Sequence, residues 1–316
     1  MKTNNLTLPV FLEFVELKTK VASLFPMIIG FAWSQLYYQN LNLRNSLLFA
    51  IAVIAFDMCT TAINNTMDFI KAHDMTYQQE DNVIGKYGLH YKTMTHIIYA
   101  LLIFSALVSL VLVVFTDILL LPIGALCFLI GISYTFGPFP LSRLPLGEIF
   151  SGITMGFGIF FLAIYVQDPH QLLYSQWDSH NVLISLNWLE CLKIGLMSLP
   201  MVCLIANIML ANNLCDYDQD IRNQRFTLIH FIGKTYSIYL YAILHTIPWI
   251  MWLFFVVMGW LPITALILYL AYPISFKSLR RFLTKQEKRL TFIESIKSFV
   301  LFSSLYFLIL LLINII

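Results

Sequence analysis

Two polar clusters in the chain repeat one spacing of asparagine and aspartate. Asn64 and Asp68 are four residues apart, and Asn212, Asp216 and Asp220 follow one another at the same interval. Because an α-helix turns once in 3.6 residues, residues four apart lie on the same face, about 6 Å apart along the axis. Each cluster therefore predicts a row of oxygen ligands along one side of a helix.

Such rows suit the binding of Mg²⁺ together with a diphosphate. Grouped carboxylates repel one another unless a cation lies between them, and Mg²⁺ is commonly held by one or two carboxylates plus substrate phosphates. Two rows facing one cavity would hold two or more Mg²⁺ ions around a diphosphate and neutralise it as its bond to carbon breaks. The alternative for either cluster alone is the solvated start of a loop. Two matching clusters on one side of the molecule favour the metal site.

Basic residues near the clusters are candidates for binding phosphate oxygens through charge-assisted hydrogen bonds. Lys71, Arg143, Arg222 and Arg225 flank the clusters, and Lys18 precedes the first apolar segment. The alternative for each is a marker of membrane topology only. The seven basic residues between positions 277 and 297 are interpreted in that second way, as a lipid-facing topology signal.

Three further residues extend the predicted cavity. Asp57 lies seven residues before Asn64, about 10 Å deeper on a similar helix face. It either lines the cavity or is hydrogen-bonded within the helix bundle. Tyr134 and Phe139 are candidates, by position, for rings that would stabilise a carbocation.

The elements that must position these residues are membrane helices. The chain has 316 residues, of which 59% are hydrophobic and 11% are charged, with a mean hydropathy of +0.78. Soluble domains carry about 25% charged residues, so lipid is the expected surrounding. The net charge of +2 gives no support to a nucleic-acid partner.

Apolar stretches long enough to span a bilayer predict an all-α integral membrane protein, a single domain over residues 1–316 with about nine transmembrane helices. The predicted spans are Val21–Tyr38, Leu47–Asn64, Thr95–Phe115, Ile118–Tyr134, Leu146–Val166, Ile194–Ala211, Tyr236–Met258, Leu261–Phe276 and Phe299–Ile316.

Orientation follows from the basic residues. With the N-terminus in the cytoplasm, all of the 19 Lys and Arg residues except Arg44 and Lys193 fall on the inner side. The polar loops predicted at residues 65–94 and 212–235 lie on that side as well. We therefore expect a multi-pass protein of the cell membrane with acidic motifs at the cytoplasmic ends of helices 2 and 6, and an active site on that face.

At these residues the sequence resembles the UbiA-type intramembrane prenyltransferases, and within them the 1,4-dihydroxy-2-naphthoate polyprenyltransferase branch of menaquinone synthesis. The likeness covers most of the chain, in family order. It is carried by residues 18–26 (KTKVASLFP), 64–74 (NNTMDFIKAHD), 134–141 (YTFGPFPL), 146–148 (LGE) and 212–228 (NNLCDYDQDIRNQRFTL). The chain departs from the family pattern where Asn65 replaces the usual Asp, Cys215 the usual Arg, Gln224 the usual Gly and Arg225 the usual Lys.

The resemblance implies a mechanism and its residues. Mg²⁺ held by Asp68, Asp74, Asp216 and Asp220 would bind a polyprenyl diphosphate, with Asp68 and Asp216 the catalytic pair. An allylic cation would then be attacked by the naphthoate ring, which loses CO₂ to give a demethylmenaquinone. The full set of predicted metal ligands is Asn64, Asp68, Asp74, Asn212, Asp216 and Asp220. The predicted substrate-binding residues are Lys18, Asn65, Lys71, Tyr134, Arg143, Arg222 and Arg225.

Two alternatives stay open at this stage. The first keeps the reaction but changes the acceptor to 4-hydroxybenzoate, haem or another ring. For the naphthoate acceptor itself, it stays open whether Arg143, Lys18 or neither binds the carboxylate. The second is an ion-coupled transporter with two acidic half-sites. Transporters place their sites near the bilayer midplane in broken helices, whereas these clusters sit at the membrane face. The partners expected are the two substrates and the bilayer, with no obligate protein partner.

Overall fold

The computed structural model describes residues 6–72, 74–138 and 140–315, and helices make up nearly all of its regular structure. The α-helices are α1 (Leu8–Phe14), α2 (Val21–Tyr38), α3 (Leu43–Lys71), α4 (Val83–Tyr87), α5 (Tyr91–Phe115), α6 (Leu120–Ser133), α7 (Gly147–Ser151), α8 (Ile159–Tyr165), α9 (Trp188–Arg222), α10 (Leu228–Val257), α11 (Tyr272–Thr284) and α12 (Phe292–Ile315). Two π-helical segments cover Tyr77–Asp81 and Gly152–Gly158, and 3-10 helices cover Leu17–Lys20, Leu141–Arg143, Pro169–Gln171 and Ile263–Ala271.

Six helices in the described part of the chain are long and apolar enough to cross a membrane. They are Leu43–Lys71, Tyr91–Phe115, Gly147–Tyr165, Trp188–Arg222, Leu228–Val257 and Phe292–Asn314. Their length and composition identify an integral membrane protein. A helix also overlaps each of the three other predicted spans, but these are shorter or less apolar, so the count of nine remains a prediction.

Both helices that carry the polar clusters run further than the apolar pattern suggests. The second predicted span ends at Asn64, whereas α3 continues to Lys71. The sixth ends at Ala211, whereas α9 continues to Arg222. The predicted loops at residues 65–94 and 212–235 therefore begin with helix. An apolar stretch predicts only the part of a helix that contacts lipid. The backbone hydrogen bonds of both helices continue past that part, through the polar residues that follow.

A short β-hairpin modifies the all-α expectation. β1 (Leu173–Trp177) pairs antiparallel with β2 (Val182–Leu186), in the segment between α8 and α9, which lies between two of the predicted spans. Asp117 anchors the hairpin by accepting hydrogen bonds from the backbone N–H of Ser175 at 2.8 Å and from its hydroxyl. Apart from this hairpin, the described residues form a helical bundle.

Glycines allow the helices around α9 and α2 to approach closely. A Cβ atom on Gly156 would lie 2.5 Å from the backbone of Val202 in α9. A Cβ on Gly30 of α2 would lie 2.9 Å from the carbonyl oxygen of Phe160 in α8. Small residues at such crossings are how membrane helices gain van der Waals contact where lipid offers no hydrophobic driving force. These close crossings set the position of α9, which carries the second polar cluster.

Candidate active site where the ends of α3 and α9 meet

The first polar cluster occupies the last turns of α3. The amide of Asn64 donates a hydrogen bond to Asp68 Oδ2 at 3.4 Å, so the two side chains lie on one face. The hydroxyl of Thr135 donates to Asn64 Oδ1 at 3.1 Å. This contact brings the segment after α6, which contains Tyr134, against the first cluster.

Arg225 joins the first cluster to the second. Its Nη1 lies 3.8 Å from Asp68 Oδ2 and 3.5 Å from Asp220 Oδ1. Arg143 lies beside the other carboxylate oxygen of Asp68, and its Nη2 is 3.6 Å from Oδ1. The structure therefore brings Asp68, Arg143, Asp220 and Arg225 together from three separate segments of the sequence, and we call these four residues the Arg225 junction.

The turn at the end of α9 explains the direction of Arg225. Gln224 takes the left-handed conformation with φ at 54°, and the backbone N–H of Arg225 then donates to the carbonyl oxygen of Asp220 at 2.8 Å. This return of the chain over the helix end places the guanidinium beside the Asp220 carboxylate. Burial by itself would lower the pKa of Arg225, but the carboxylates of Asp68 and Asp220 raise it overall, so the group stays charged.

Asn212 and Asp216 share a different cation. Lys288, in the turn between α11 and α12, lies with its Nζ 2.5 Å from Asp216 Oδ2 and also donates to Asn212 Oδ1. The sequence interpretation missed this residue, because it assigned all seven basic residues of that region to topology. No pattern in the sequence distinguishes Lys288 from its basic neighbours.

The donor set fits a hard divalent cation only when further oxygens are supplied. Asp68, Asp216 and Asp220 provide carboxylates, and Asp220 Oδ2 is buried without a hydrogen-bond partner within the described ranges. Among the described residues, no three His, Cys, Asp or Glu side chains are grouped closely enough to hold a metal ion. Phosphate oxygens of a substrate are the usual source of the remaining Mg²⁺ ligands.

Asp74 has a structural role next to this centre. Its Oδ1 accepts the backbone N–H groups of Thr76 at 3.0 Å and Tyr77 at 3.3 Å, which caps the helical segment that follows. Its Oδ2 lies 3.7 Å from Nε of Arg222. Asp74 thus links the segment after α3 to the end of α9, and its role as a metal ligand stays a prediction.

The other predicted substrate-binding residues are Lys18, Asn65, Lys71 and Tyr134, of which Lys71 and Tyr134 lie near charged groups of the Arg225 junction. Asn65 is buried and donates to the carbonyl oxygen of Phe14 at 2.9 Å, so its side chain points toward the end of α1. Lys18 is exposed on the 3-10 helix Leu17–Lys20, and Lys71 is the partly exposed last residue of α3. The hydroxyl of Tyr134 donates to the carbonyl oxygen of Gly147 at 3.4 Å. The substrate roles of these residues stay predictions.

Asp57 is hydrogen-bonded within the bundle, which settles the two alternatives weighed for it. Its carboxylate accepts from Lys20 Nζ at 2.7 Å and from the hydroxyl of Ser23 at 2.6 Å. Lys20 also donates to Thr61 at 2.6 Å. Phe139, which was also predicted to line the cavity, lies outside the described residues.

A buried hydrogen bond beside Asn212 was also missed. The amide of Asn213 donates to Glu148 Oε1 at 2.8 Å, and both residues are almost fully buried. Glu148 lies in the first turn of α7, so the bond fixes α7 against α9 where the second cluster starts. The signal was present in the sequence, because Glu148 ends the LGE segment that carries the family resemblance.

Comparison with known proteins places this arrangement in a family. The UbiA prenyltransferase family matches residues 23–313. The 1,4-dihydroxy-2-naphthoate octaprenyltransferase of Bacillus subtilis (strain 168) is 24% identical over 281 residues, which cover 89% of this chain and 84% of that protein.

Solved structures show the same fold. A UbiA homolog from Archaeoglobus fulgidus bound to GPP and Mg²⁺ superposes with a TM-score of 0.65 at 13% identity, over 97% of this chain and 100% of that one. The apo UbiA homolog from Aeropyrum pernix K1 has a TM-score of 0.65 at 16% identity, over 94% and 97%. The resemblance read from the sequence is thereby confirmed, and the chain belongs to the UbiA prenyltransferase family.

Proposed function

We propose that this UbiA-family prenyltransferase transfers a polyprenyl group from polyprenyl diphosphate to 1,4-dihydroxy-2-naphthoate, with release of diphosphate and CO₂. The observation that carries the proposal is the junction at Arg225, where acidic groups of both clusters meet two arginines. The name of the Bacillus subtilis relative supports the naphthoate acceptor. The family match does not favour the transporter alternative.

The donor diphosphate would bind at this junction. Arg143 and Arg225 present guanidinium groups suited to phosphate oxygens, and both are mostly shielded from water. Solved UbiA homologs bound to GPP or DMAPP together with Mg²⁺ support a divalent cation here. Asp68, Asp216 and Asp220 would hold it, assisted by Asn64 and Asn212. When bound, Mg²⁺ would supply charge neutralisation for the departing diphosphate.

The transfer step needs no change in oxidation state. The C–O bond of the donor breaks with its electron pair leaving on diphosphate, and the ring carbon that bears the carboxylate bonds to the allylic carbon. The carboxylate then leaves as CO₂, and its bonding pair restores the aromatic ring. The product is the hydroquinone form of a demethylmenaquinone. Shielding of the junction from water protects the allylic cation from hydrolysis.

The side of the membrane follows from the basic residues. Because nearly all Lys and Arg residues fall on one side under the predicted topology, we infer that the N-terminus and the junction face the cytoplasm of a cell membrane. Accessibility of a cysteine introduced at exposed Asp218 to an impermeant thiol reagent, in sealed vesicles of known orientation, tests this placement.

An acceptor panel tests the activity. Purified protein in lipid nanodiscs receives polyprenyl diphosphate with 1,4-dihydroxy-2-naphthoate or 4-hydroxybenzoate, with and without Mg²⁺. We expect Mg²⁺-dependent diphosphate release with the naphthoate, and a product mass that shows one prenyl group gained and CO₂ lost. Turnover with 4-hydroxybenzoate alone would reassign the acceptor. No release with any aromatic acceptor would overturn the proposal.

A further inference from the structure

Lys288 lies in a well-defined turn above the second polar cluster. The carbonyl oxygen of Glu287 accepts the backbone N–H groups of Leu290 at 3.3 Å, Thr291 at 2.9 Å and Phe292 at 3.1 Å. The turn therefore fixes the backbone next to Lys288, while its side chain, 44% exposed, extends to Asn212 and Asp216. The ammonium also lies 4.9 Å from the centroid of the Phe292 ring.

A neighbouring lysine shows that this contact is specific to one position. Lys285, three residues earlier, forms an ion pair with Glu287 within the same turn and is 64% exposed. Lys288 instead crosses to α9 and contacts two residues that are four positions apart on one helix face. These are the second-cluster oxygens assigned above to a divalent cation, so the ammonium occupies a place where a metal ion would bind.

We propose that Lys288 is an exchangeable counter-ion of the active site, an inference that rests on the proposed function. Without metal, its ammonium holds Asn212 and Asp216 together. When a divalent cation binds these oxygens, the ammonium is displaced. Because the turn at Glu287 keeps its backbone beside the site, the released side chain then binds the diphosphate of the prenyl donor. Lys288 is thus a positioning residue in one state and a donor-binding residue in the other.

The first test measures metal binding without any donor. Mn²⁺ is titrated into the full-length protein in nanodiscs, and free Mn²⁺ is followed by electron paramagnetic resonance. Removing the competing ammonium in Lys288→Met is expected to tighten Mn²⁺ binding about fivefold, which corresponds to ~1 kcal/mol for a half-exposed ion pair. Lys288→Arg keeps the charge and should bind Mn²⁺ as the wild type does. Lys285→Met is the matched control and should show no change.

The second test measures the donor. In steady-state turnover, Lys288→Met is expected to raise the KM for polyprenyl diphosphate about tenfold, the loss of one charge-assisted hydrogen bond, while kcat changes less than twofold. Lys288→Arg should restore most of the KM, and Lys285→Met should leave it unchanged. A merely structural lysine would not move metal affinity and KM in opposite directions.

The outcomes separate this inference from the proposed function. If the wild type binds Mn²⁺ and transfers prenyl groups, but Lys288→Met has unchanged Mn²⁺ affinity or unchanged KM, the exchange is wrong and the function stands. If Lys285→Met has the same effects as Lys288→Met, the effect is one of general charge and the exchange is also wrong. If neither the wild type nor Lys288→Met binds Mn²⁺ in the absence of donor, the exchange is wrong, and the proposed function is then decided by diphosphate release in the acceptor panel alone.

Discussion

Asp68 of α3 and Asp220 of α9 both lie within 4 Å of a single guanidinium nitrogen, Nη1 of Arg225. With Arg143 beside Asp68, this junction pairs two carboxylates with two guanidinium groups. The charges within it are therefore balanced before any substrate binds. A diphosphate would add several negative charges, so its binding requires further cations, and this requirement is the electrostatic reason to expect Mg²⁺ with the donor.

The two aspartates proposed as the catalytic pair should be indispensable. Asp68→Asn and Asp216→Asn keep side-chain volume but remove the negative charge that would hold a divalent cation. We expect each to lower kcat by at least about 100-fold, measured as diphosphate release at saturating Mg²⁺. Asp218→Asn is the control, because Asp218 is exposed on α9 between Asp216 and Asp220. Wild-type rates in both aspartate variants would remove these residues from the site.

Arg225 should be essential to stability as well as to activity. Arg225→Gln leaves Asp68 and Asp220 without their shared cation in largely buried surroundings. We expect the free energy of unfolding to fall by about 3 kcal/mol, measured by denaturant titration in mixed micelles.

Arg222→Gln provides the comparison for stability. Arg222 is 61% exposed and pairs only with Asp74 among the contacts described above, so its loss should change stability by less than ~0.5 kcal/mol. Equal destabilisation by the two variants would show that the junction at Arg225 has no special role.

The contacts at the Arg225 junction were only partly predictable from the sequence. The spacing within each cluster predicted which side chains share a face, since that depends only on helix periodicity. The direction of Arg225 depends on the left-handed turn at Gln224, a conformation that favours glycine, and the family pattern indeed has Gly at that position. A glutamine there gives no local sign of the turn, so the pairing of Arg225 with Asp68 and Asp220 was not predictable.

The ends of the membrane helices were also only partly predictable from the sequence. The predicted span Val21–Tyr38 coincides with α2, because its apolar stretch ends where its helix ends. For α3 and α9 the two boundaries differ, since both helices continue through polar residues that face the bundle interior. Contacts across the chain, such as that of Lys288 with Asp216, depend on how α11 and α12 pack. Residue spacing carries no information on that packing.

A surface ion pair between α1 and α4 should give a small, pH-dependent contribution to stability. The hydrogen bond from Lys86 to Glu13, at 2.6 Å, lowers the pKa of this carboxyl, and Tyr87 also donates to it. Because the folded-state pKa lies below the unfolded value of about 4.3, the stabilisation is present above that pH and is lost as the pH falls through the folded pKa.

The measurement for this pair is thermal unfolding at two pH values. Both side chains are about two-fifths exposed, so we expect Glu13→Gln to cost only ~0.5 kcal/mol at pH 7. The difference from wild type should disappear at a pH below the folded-state pKa. Glu80→Gln, at another exposed carboxylate, should match the wild type at both values. A deficit that persists in acid would mean that packing, not charge, is responsible.

The pair of Lys20 and Asp57 should contribute most to the position of α2 against α3. Both side chains are largely buried, at 8% and 14% exposure, and Asp57 precedes the first polar cluster on α3 by two turns. Lys20→Met leaves a carboxylate without its cation, which we expect to cost about 3–5 kcal/mol in unfolding free energy. Lys18→Met, at an exposed position of the same 3-10 helix, should cost less than ~0.5 kcal/mol.

A double-mutant cycle separates this electrostatic pairing from packing. In Lys20→Met with Asp57→Asn, neither charge is left without a partner, so the double variant should be more stable than the sum of the single effects predicts, by at least ~1 kcal/mol. Additive costs would show that the two charges are not coupled. In that case other contacts of α3, and not this ion pair, would have to set the position of Asn64 and Asp68.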